Sequence, residues 1–257
     1  MNRLIIIAIV SLSVTTTFAQ GPPIFTDTPI LLGLDGGGVR TFGRFIAKEN
    51  ATIYVQPVAL PYNFGSKFQV GTVVKYINKN PDGLASQSGF GDVEAFAKLQ
   101  LFKKDGKAKT FRVIAKLNQV FPTGKTDVNP TIGNDSWQSQ LGLVSGYVTL
   151  KYGVYAEIAY NVTSNGLPDN LIYNVAFVYP LLPQKYPPNQ INLNIGLNGN
   201  YLTDVSSNSL LASTGIQWIA GKRLLFETGV QIPLVEEVPD DQQTNFIYTL
   251  GTRILIF

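Results

Sequence analysis

The stretch Gly91–Phe121, GDVEAFAKLQLFKKDGKAKTFRVIAKLNQVF, decides the fold that the sequence predicts. From Val93 to Leu101 its odd positions are apolar, and the charged residues Asp92, Glu94 and Lys98 stand at even positions. The alternation resumes at Phe111, after a predicted hairpin turn at Lys104–Lys107. A repeat of two residues is typical of a strand and not of a helix. Strands of this length match the roughly 9 to 11 residues that a tilted strand needs to cross a bilayer.

Composition limits the chemistry that the chain can perform. With 257 residues it is long enough for one large β domain. The formal charge of +3 comes without a basic block, so we expect no nucleic-acid partner. The absence of cysteine and histidine excludes disulfides, thiolate chemistry, Ser-His-Asp catalysis and most transition-metal sites. We therefore expect a protein that is not an enzyme and has no cofactor or metal.

Residues 1–19 have the features of a cleaved signal peptide. Arg3 precedes the short apolar run Leu4–Val14, and Thr17-Phe18-Ala19 fits a small-x-small cleavage signal. No later stretch offers about 20 consecutive apolar residues, so a membrane location would require strands. We expect residues 20–38 to form an extended periplasmic or plug segment, and residues 39–257 to form a β-barrel.

One motif within residues 20–38 points to another class of protein. The string LDGGGVR, Leu34–Arg40, resembles the glycine-rich oxyanion loop of patatin-like phospholipases. That family also needs a nucleophilic serine in a G-x-S-x-G motif, and no serine of this sequence stands in one. The motif therefore predicts a glycine-rich turn before the first strand.

Alternation along the rest of the chain predicts about twelve strands. They are expected at residues 39–48, 52–60, 67–78, 91–103, 111–118, 136–143, 147–162, 171–182, 191–202, 210–220, 224–232 and 245–257. Short turns are expected at 61–65, 104–107, 145–146 and 221–222, and longer loops at 79–88, 122–135, 163–170 and 234–244. Short turns that alternate with long loops, and an even number of strands, are typical of outer-membrane barrels.

The segment Ile191–Leu202 indicates what the barrel encloses. Its apolar residues alternate with a row of four asparagines. Amides are costly against a dry core unless each one finds a partner, and a water-filled lumen removes that cost. The alternative is a secreted sandwich or lipocalin-like cup, in which the apolar row would form the core and the asparagines would face bulk solvent.

Two motifs carry a resemblance to a known family. SGFGD (Ser88–Asp92) opens one predicted strand, and FPTGK (Phe121–Lys125) ends the next. Together they resemble the outer-membrane barrel family associated with the meta-pathway of phenol degradation, whose members are often called transporters. The resemblance implies a transmembrane antiparallel up-and-down β-barrel in the bacterial outer membrane. Phe257 is similar to the terminal aromatic read by the barrel insertion machinery, although it has the parity of Arg253. The implied partners are outer-membrane lipids, this machinery and a small-molecule solute.

The polar parity predicts which side chains line the lumen. They are Arg40, Arg44, Lys75, Asp92, Glu94, Lys98, Arg112, Lys116, Lys151, Glu157, Asn192, Asn194, Asn198, Asn200, Arg223, Glu227 and Arg253. Basic residues outnumber acidic ones in this set, and rings of Arg and Lys favour anions. The functional hypothesis is a channel or uptake protein for small anionic or aromatic solutes. The alternative is a closed structural barrel whose charges pair between neighbours, such as Lys98 with Glu94 or Arg112 with Asp92.

Overall fold

The computed structural model describes residues 21–31, 35–185, 187–238 and 243–256. The predicted signal peptide and Phe257 lie outside these ranges. Within them the chain forms the strands β1 Gly36–Lys48, β2 Ala51–Phe64, β3 Phe68–Pro81, β4 Gln87–Phe90, β5 Val93–Gly106, β6 Lys109–Phe121, β7 Gln138–Thr149, β8 Gly153–Thr163, β9 Asn170–Pro180, β10 Asn189–Leu202, β11 Ser207–Ala220, β12 Leu224–Glu236 and β13 Thr244–Ile256. No helix of the described residues is long and apolar enough to span a membrane.

The strands form one closed antiparallel barrel. Neighbours in the chain pair with each other around the wall, and β1 pairs with β13 to close it. The short strand β4 pairs with β3 just ahead of β5, so residues 87–106 act as one wall strand interrupted at Gly91–Asp92. The described wall therefore has twelve strands, and the predicted up-and-down barrel is confirmed.

The two faces of β10 show how the wall is oriented. Ile195 and Leu197 are 50% and 44% exposed on the outside, whereas Asn192 and Asn194 are almost fully buried. This arrangement is the reverse of the one that a soluble cup requires. Hydrocarbon side chains cover the outside and amides face the enclosed space, as a barrel in a bilayer needs.

Connection lengths differ between the two ends of the barrel. The end where β1 begins and β13 finishes, here called the short-turn rim, has connections at 65–67, 107–108, 150–152, 181–188 and 221–223. The opposite end, the long-loop rim, has connections at 49–50, 82–86, 122–137, 164–169, 203–206 and 237–243. Outer-membrane barrels have short periplasmic turns and longer extracellular loops.

Paired aromatic rings lie on the outer surface towards both rims. Near the short-turn rim the pairs are Tyr62–Phe64, Phe102–Phe111, Tyr152–Phe177 and Trp218–Phe226. Near the long-loop rim they are Phe45–Phe246, Tyr76–Phe90 and Phe121–Trp137. Two such girdles mark the interfaces of a membrane with water.

The predicted turn at Ser145–Gly146 and the predicted strand 147–162 are wrong. β7 runs through Gly146 to Thr149, and the turn lies at 150–152. Gly146 has another role, because a Cβ atom there would lie 2.8 Å from Cγ of Pro29. The glycine makes room for an inner segment. The turn is closed instead by Thr149, whose Oγ1 accepts hydrogen bonds from the amides of Lys151 and Tyr152.

The predicted turn at Pro61–Gly65 begins too early. β2 continues through Pro61 to Phe64, and Gly65, with a φ of 61°, starts the turn. Proline lacks the N–H of a regular ladder, and the β1–β2 pairing is interrupted beside Pro57 and Pro61. The strand persists because β2 pairs with β3 along its whole length.

Candidate functional site: the lumen and its N-terminal segment

Most of the predicted lumen-lining residues face inward from the wall. The inward set comprises Arg40, Arg44, Lys75, Glu94, Lys98, Arg112, Lys116, Glu157, Asn192, Asn194, Asn198, Asn200, Glu227 and Arg253, with Asp92 in the break between β4 and β5. Lys151 and Arg223 depart from the prediction. Both lie exposed in turns of the short-turn rim, because the strands end before them.

Residues 21–31 lie inside the barrel. Four successive carbonyl oxygens of this segment accept hydrogen bonds from wall side chains. The pairs are Pro22 with Gln217 Nε2 at 2.8 Å, Pro23 with Arg253 Nη2 at 3.3 Å, Ile24 with Arg40 Nη2 at 3.0 Å, and Phe25 with Asn198 Nδ2 at 3.0 Å. The segment has no strand partner, so the wall supplies the donors that its backbone needs.

Wall glycines make space for the segment. A Cβ atom on Gly215 would lie 2.7 Å from Cδ1 of Ile24, and one on Gly229 would lie 2.8 Å from the ring of Phe25. Together with Gly146 under Pro29, these positions fit the segment against the inner wall. Larger residues at these positions would displace it.

Glu227 is the centre of one buried charge cluster. Its side chain is fully buried, and its Oε1 lies 2.8 Å from Nη2 of Arg40 while its Oε2 lies 3.1 Å from Nη2 of Arg253. These are the two guanidinium groups that also donate to the carbonyls of Ile24 and Pro23. One carboxylate thus positions two arginines that hold the segment.

Asp27 is the centre of a second cluster. Its Oδ1 lies 2.5 Å from Nζ of Lys98, and its Oδ2 lies 3.3 Å from Nζ of Lys116. Lys116 also pairs with Glu157 at 2.9 Å, and Asn174 donates to Glu157 at 3.0 Å. Burial alone would raise the pKa of Asp27, but the two lysines outweigh it and hold the pKa of this carboxyl well below its usual range.

The pairs expected between Lys98 and Glu94 and between Arg112 and Asp92 are not the ones formed. Lys98 binds Asp27, Glu94 pairs with Lys75, and the guanidinium of Arg112 lies 3.8 Å from Asp105. Strand parity fixes the face of a residue. It does not fix the partner, which depends on register and on the inserted segment.

The remaining predicted residues contribute polar or stacked contacts. Asn192 donates to Gln217, Asn198 donates to Asn174, and Asn170 donates to Asn200. The guanidinium of Arg44 stacks on the ring of Phe42, with 5.0 Å between Cζ and the ring centroid. The side chain of Asn194 has no hydrogen-bond partner among the described residues.

A cavity of about 190 Å³ lies between the wall and the loop of residues 122–137. Charged and apolar side chains share its lining: Lys75, Lys79, Asp92 and Glu94 with Ile53, Val55, Ile77, Val120 and Ile132. Ile132 comes from the loop and is 2% exposed. The loop therefore covers this cavity.

Asp92 holds loop 122–137 in place. Its Oδ1 accepts a hydrogen bond from the amide of Gly124 at 2.9 Å, and its Oδ2 accepts one from the amide of Asn134 at 3.0 Å. Asp92 was predicted as a lumen-lining charge, but the structure shows it bound to both limbs of a loop. The motifs SGFGD and FPTGK meet here, since Asp92 ends the first and Gly124 belongs to the second.

Sequence reasoning missed Asp27, Gln217 and the wall glycines. The proline-rich string GPPIFTDTP, Gly21–Pro29, signalled an extended segment but not its position. Among the described residues there is no cluster of three or more Asp or Glu side chains that could hold a metal ion.

Comparisons with solved structures define the class of fold. An outer membrane channel from Pseudomonas putida F1 superposes with a TM-score of 0.69 and 13% identity, over 90% of this chain and 99% of the channel. The KdgM porin in complex with disordered oligogalacturonate superposes with a TM-score of 0.53 and 9% identity, over 84% of this chain and 98% of the porin. The β domain of the Bordetella autotransporter BrkA superposes with a TM-score of 0.52 and 13% identity, over 86% of this chain and 98% of that domain. No family model and no curated protein matches the sequence. The fold is that of a bacterial outer-membrane β-barrel.

Proposed function

We propose that this chain is an outer-membrane channel or uptake protein for small solutes, closed in the present conformation by its own residues 21–31. The observation that supports it is the way the segment is held. Wall side chains bind its carbonyl oxygens and Asp27 through polar contacts, and no β-ladder fixes it. Contacts of this kind can be exchanged for water or solute, whereas a strand pairing would have to be broken cooperatively.

The proposed solutes are small and anionic or aromatic. The inward-facing cations of the described wall include Arg40, Arg44, Lys75, Lys98, Arg112, Lys116 and Arg253. Cationic linings favour anions. The cavity below loop 122–137 combines charged and aliphatic side chains, which suits a solute with one polar group. The resemblance of the two motifs to the family associated with phenol degradation supports an aromatic solute. The proposal includes no catalytic role.

The second candidate is a closed structural barrel that transports nothing. It is supported by the filled lumen, in which Glu227 pairs with two arginines, and Asp27 of the inserted segment and Glu157 pair with two lysines. The two functions differ in one respect, which is whether the segment leaves the lumen.

Conductance in planar bilayers separates the two functions. We expect the native chain to pass little current, and a chain lacking residues 21–31 to pass at least ten times more, with a preference for anions. Gly146→Val is a second variant, because its side chain would occupy the position of Pro29. Heat-modifiable migration on a gel verifies that each variant is folded. Folded variants that carry no current under any salt gradient would support the closed structural barrel.

A further inference from the structure

Two lysines stand directly opposite each other inside the barrel. Lys98 on β5 and Lys116 on β6 are cross-strand partners in the register of the wall, and both point inward. Their side chains are only 11% and 17% exposed. Like charges directly opposite on one face of a sheet destabilise it unless an anion lies between them. This position therefore requires a negative group.

The wall supplies only part of that negative charge. Glu157 pairs with Lys116 at 2.9 Å. The ion-pair partner of Lys98 within the described residues is Asp27, which belongs to the inserted segment and not to the wall. Each oxygen of the Asp27 carboxylate faces one ammonium group, at 2.5 and 3.3 Å. Withdrawal of the segment would leave Lys98 without this partner.

An aromatic ring adjoins the lysine pair. Nζ of Lys98 lies 5.6 Å from the centroid of the Phe96 ring, which itself lies over Gly71, where a Cβ atom would be 2.3 Å from the ring. The glycine thus permits the ring to lie flat against the wall. A carboxylate bound to the lysines would have an apolar face beside it, which suits an organic acid better than an inorganic anion.

We propose that Lys98 and Lys116 form a binding site for small organic carboxylates, which the carboxylate of Asp27 occupies in this structure. The proposal rests on the proposed function in that the segment must leave the lumen for the site to be filled from solution. Solute and segment then compete for the same two ammonium groups. A carboxylate solute shifts the chain towards the open conformation, because it binds that conformation alone.

The test is a binding measurement by calorimetry on the complete chain, folded in detergent, with benzoate and the uncharged benzyl alcohol as probes. Asp27→Asn removes the competing charge, so we expect it to bind benzoate at least ten times more tightly than the native chain does. Benzyl alcohol should bind both chains equally weakly. Adding Lys98→Gln to Asp27→Asn should abolish the gain, whereas adding Lys151→Gln, an exposed lysine of a rim turn, should leave it intact.

Several outcomes would overturn the proposal. One is a folded Asp27→Asn chain that binds benzoate no better than the native chain. Another is a gain that benzyl alcohol shares, or one that survives Lys98→Gln. Conductance measurements distinguish a failure of the carboxylate-binding proposal from a failure of the proposed channel function. Benzoate binding without current in any variant would retain the site and refute the channel, and current without benzoate binding would do the reverse.

Discussion

The barrel holds its two inserts by different sets of contacts. Segment 21–31 offers hydrogen-bond acceptors, and wall side chains such as Arg40 and Lys98 donate to them. Loop 122–137 donates two amides to one wall carboxylate, that of Asp92, and its Thr131 carbonyl accepts a hydrogen bond from Nζ of Lys79 at 2.7 Å. The loop also bonds to itself, since the amides of Ile132 and Gly133 both donate to the carbonyl of Lys125 at 2.8 Å.

The two inserts also differ in the hydrogen bonds that each one makes within itself. Within the described segment 21–31, the internal hydrogen bonds lie between Asp27 and Ile30, so the position of the segment depends on the charges around it. The loop bonds to itself at Lys125. Besides Asp92, its wall contacts include Lys79, which donates to the carbonyl of Thr131, and the amide of Val93, which donates to Thr123. Loss of Glu227 should therefore affect the segment strongly and the loop weakly, and loss of Asp92 should do the opposite.

The largest expected effect comes from Glu227→Gln. The change leaves the guanidinium groups of Arg40 and Arg253 buried without their carboxylate, and breaking a buried ion pair costs about 3 to 5 kcal/mol. We expect the free energy of unfolding in urea to fall by about 3 kcal/mol, and the segment to become accessible to protease. Glu49→Gln, at an exposed turn residue, is the matched control and should change neither. An unfolding free energy unchanged within error in Glu227→Gln would show that the segment is not held by wall charge.

Sequence alone could predict the wall, but it left open whether residues 20–38 lie in the periplasm or plug the lumen. The alternation of apolar and polar residues predicted the strands and their inward-facing row, because a strand has only two faces. It failed at Gly146, because this glycine makes room for Pro29, which is distant in the chain. The ion pair of Lys98 with Asp27 and that of Glu94 with Lys75 could not be predicted for the same reason. Each depends on a register or on a segment separated by many residues.

Asp92→Asn should produce a smaller effect, confined to the loop. Asparagine keeps one acceptor oxygen and loses the other, so one of the two limbs at Gly124 and Asn134 is released. A hydrogen bond to a charged group contributes roughly 1.5 to 3 kcal/mol, so we expect amide exchange in residues 124–134 to accelerate about tenfold or more. Hydrogen–deuterium exchange followed by mass spectrometry measures this exchange rate.

The control for this change is Asp127→Asn, an exposed residue of the same loop, which should leave exchange unaltered. Protection in residues 21–31 should stay the same in both variants. If Asp92→Asn released the segment as well, the two inserts would be coupled, and the contrast between them would be wrong.

The smallest expected effect is that of mild acid. Burial alone would raise the pKa of Asp27, but Lys98 and Lys116 outweigh it and hold that pKa below its usual range. A carboxyl with a lowered pKa stabilises the docked segment fully above the pKa of about 3.9 that it has when free, and this stability is lost only as pH falls towards the folded pKa. The chain has no histidine, the side chain that ordinarily titrates between pH 5 and 8. We therefore expect the current of the native chain to be unchanged from pH 8 to pH 5. An opening with its midpoint between pH 5 and 7 would mean that Asp27 is not clamped by the lysines, and the charge-held segment would lose its main support.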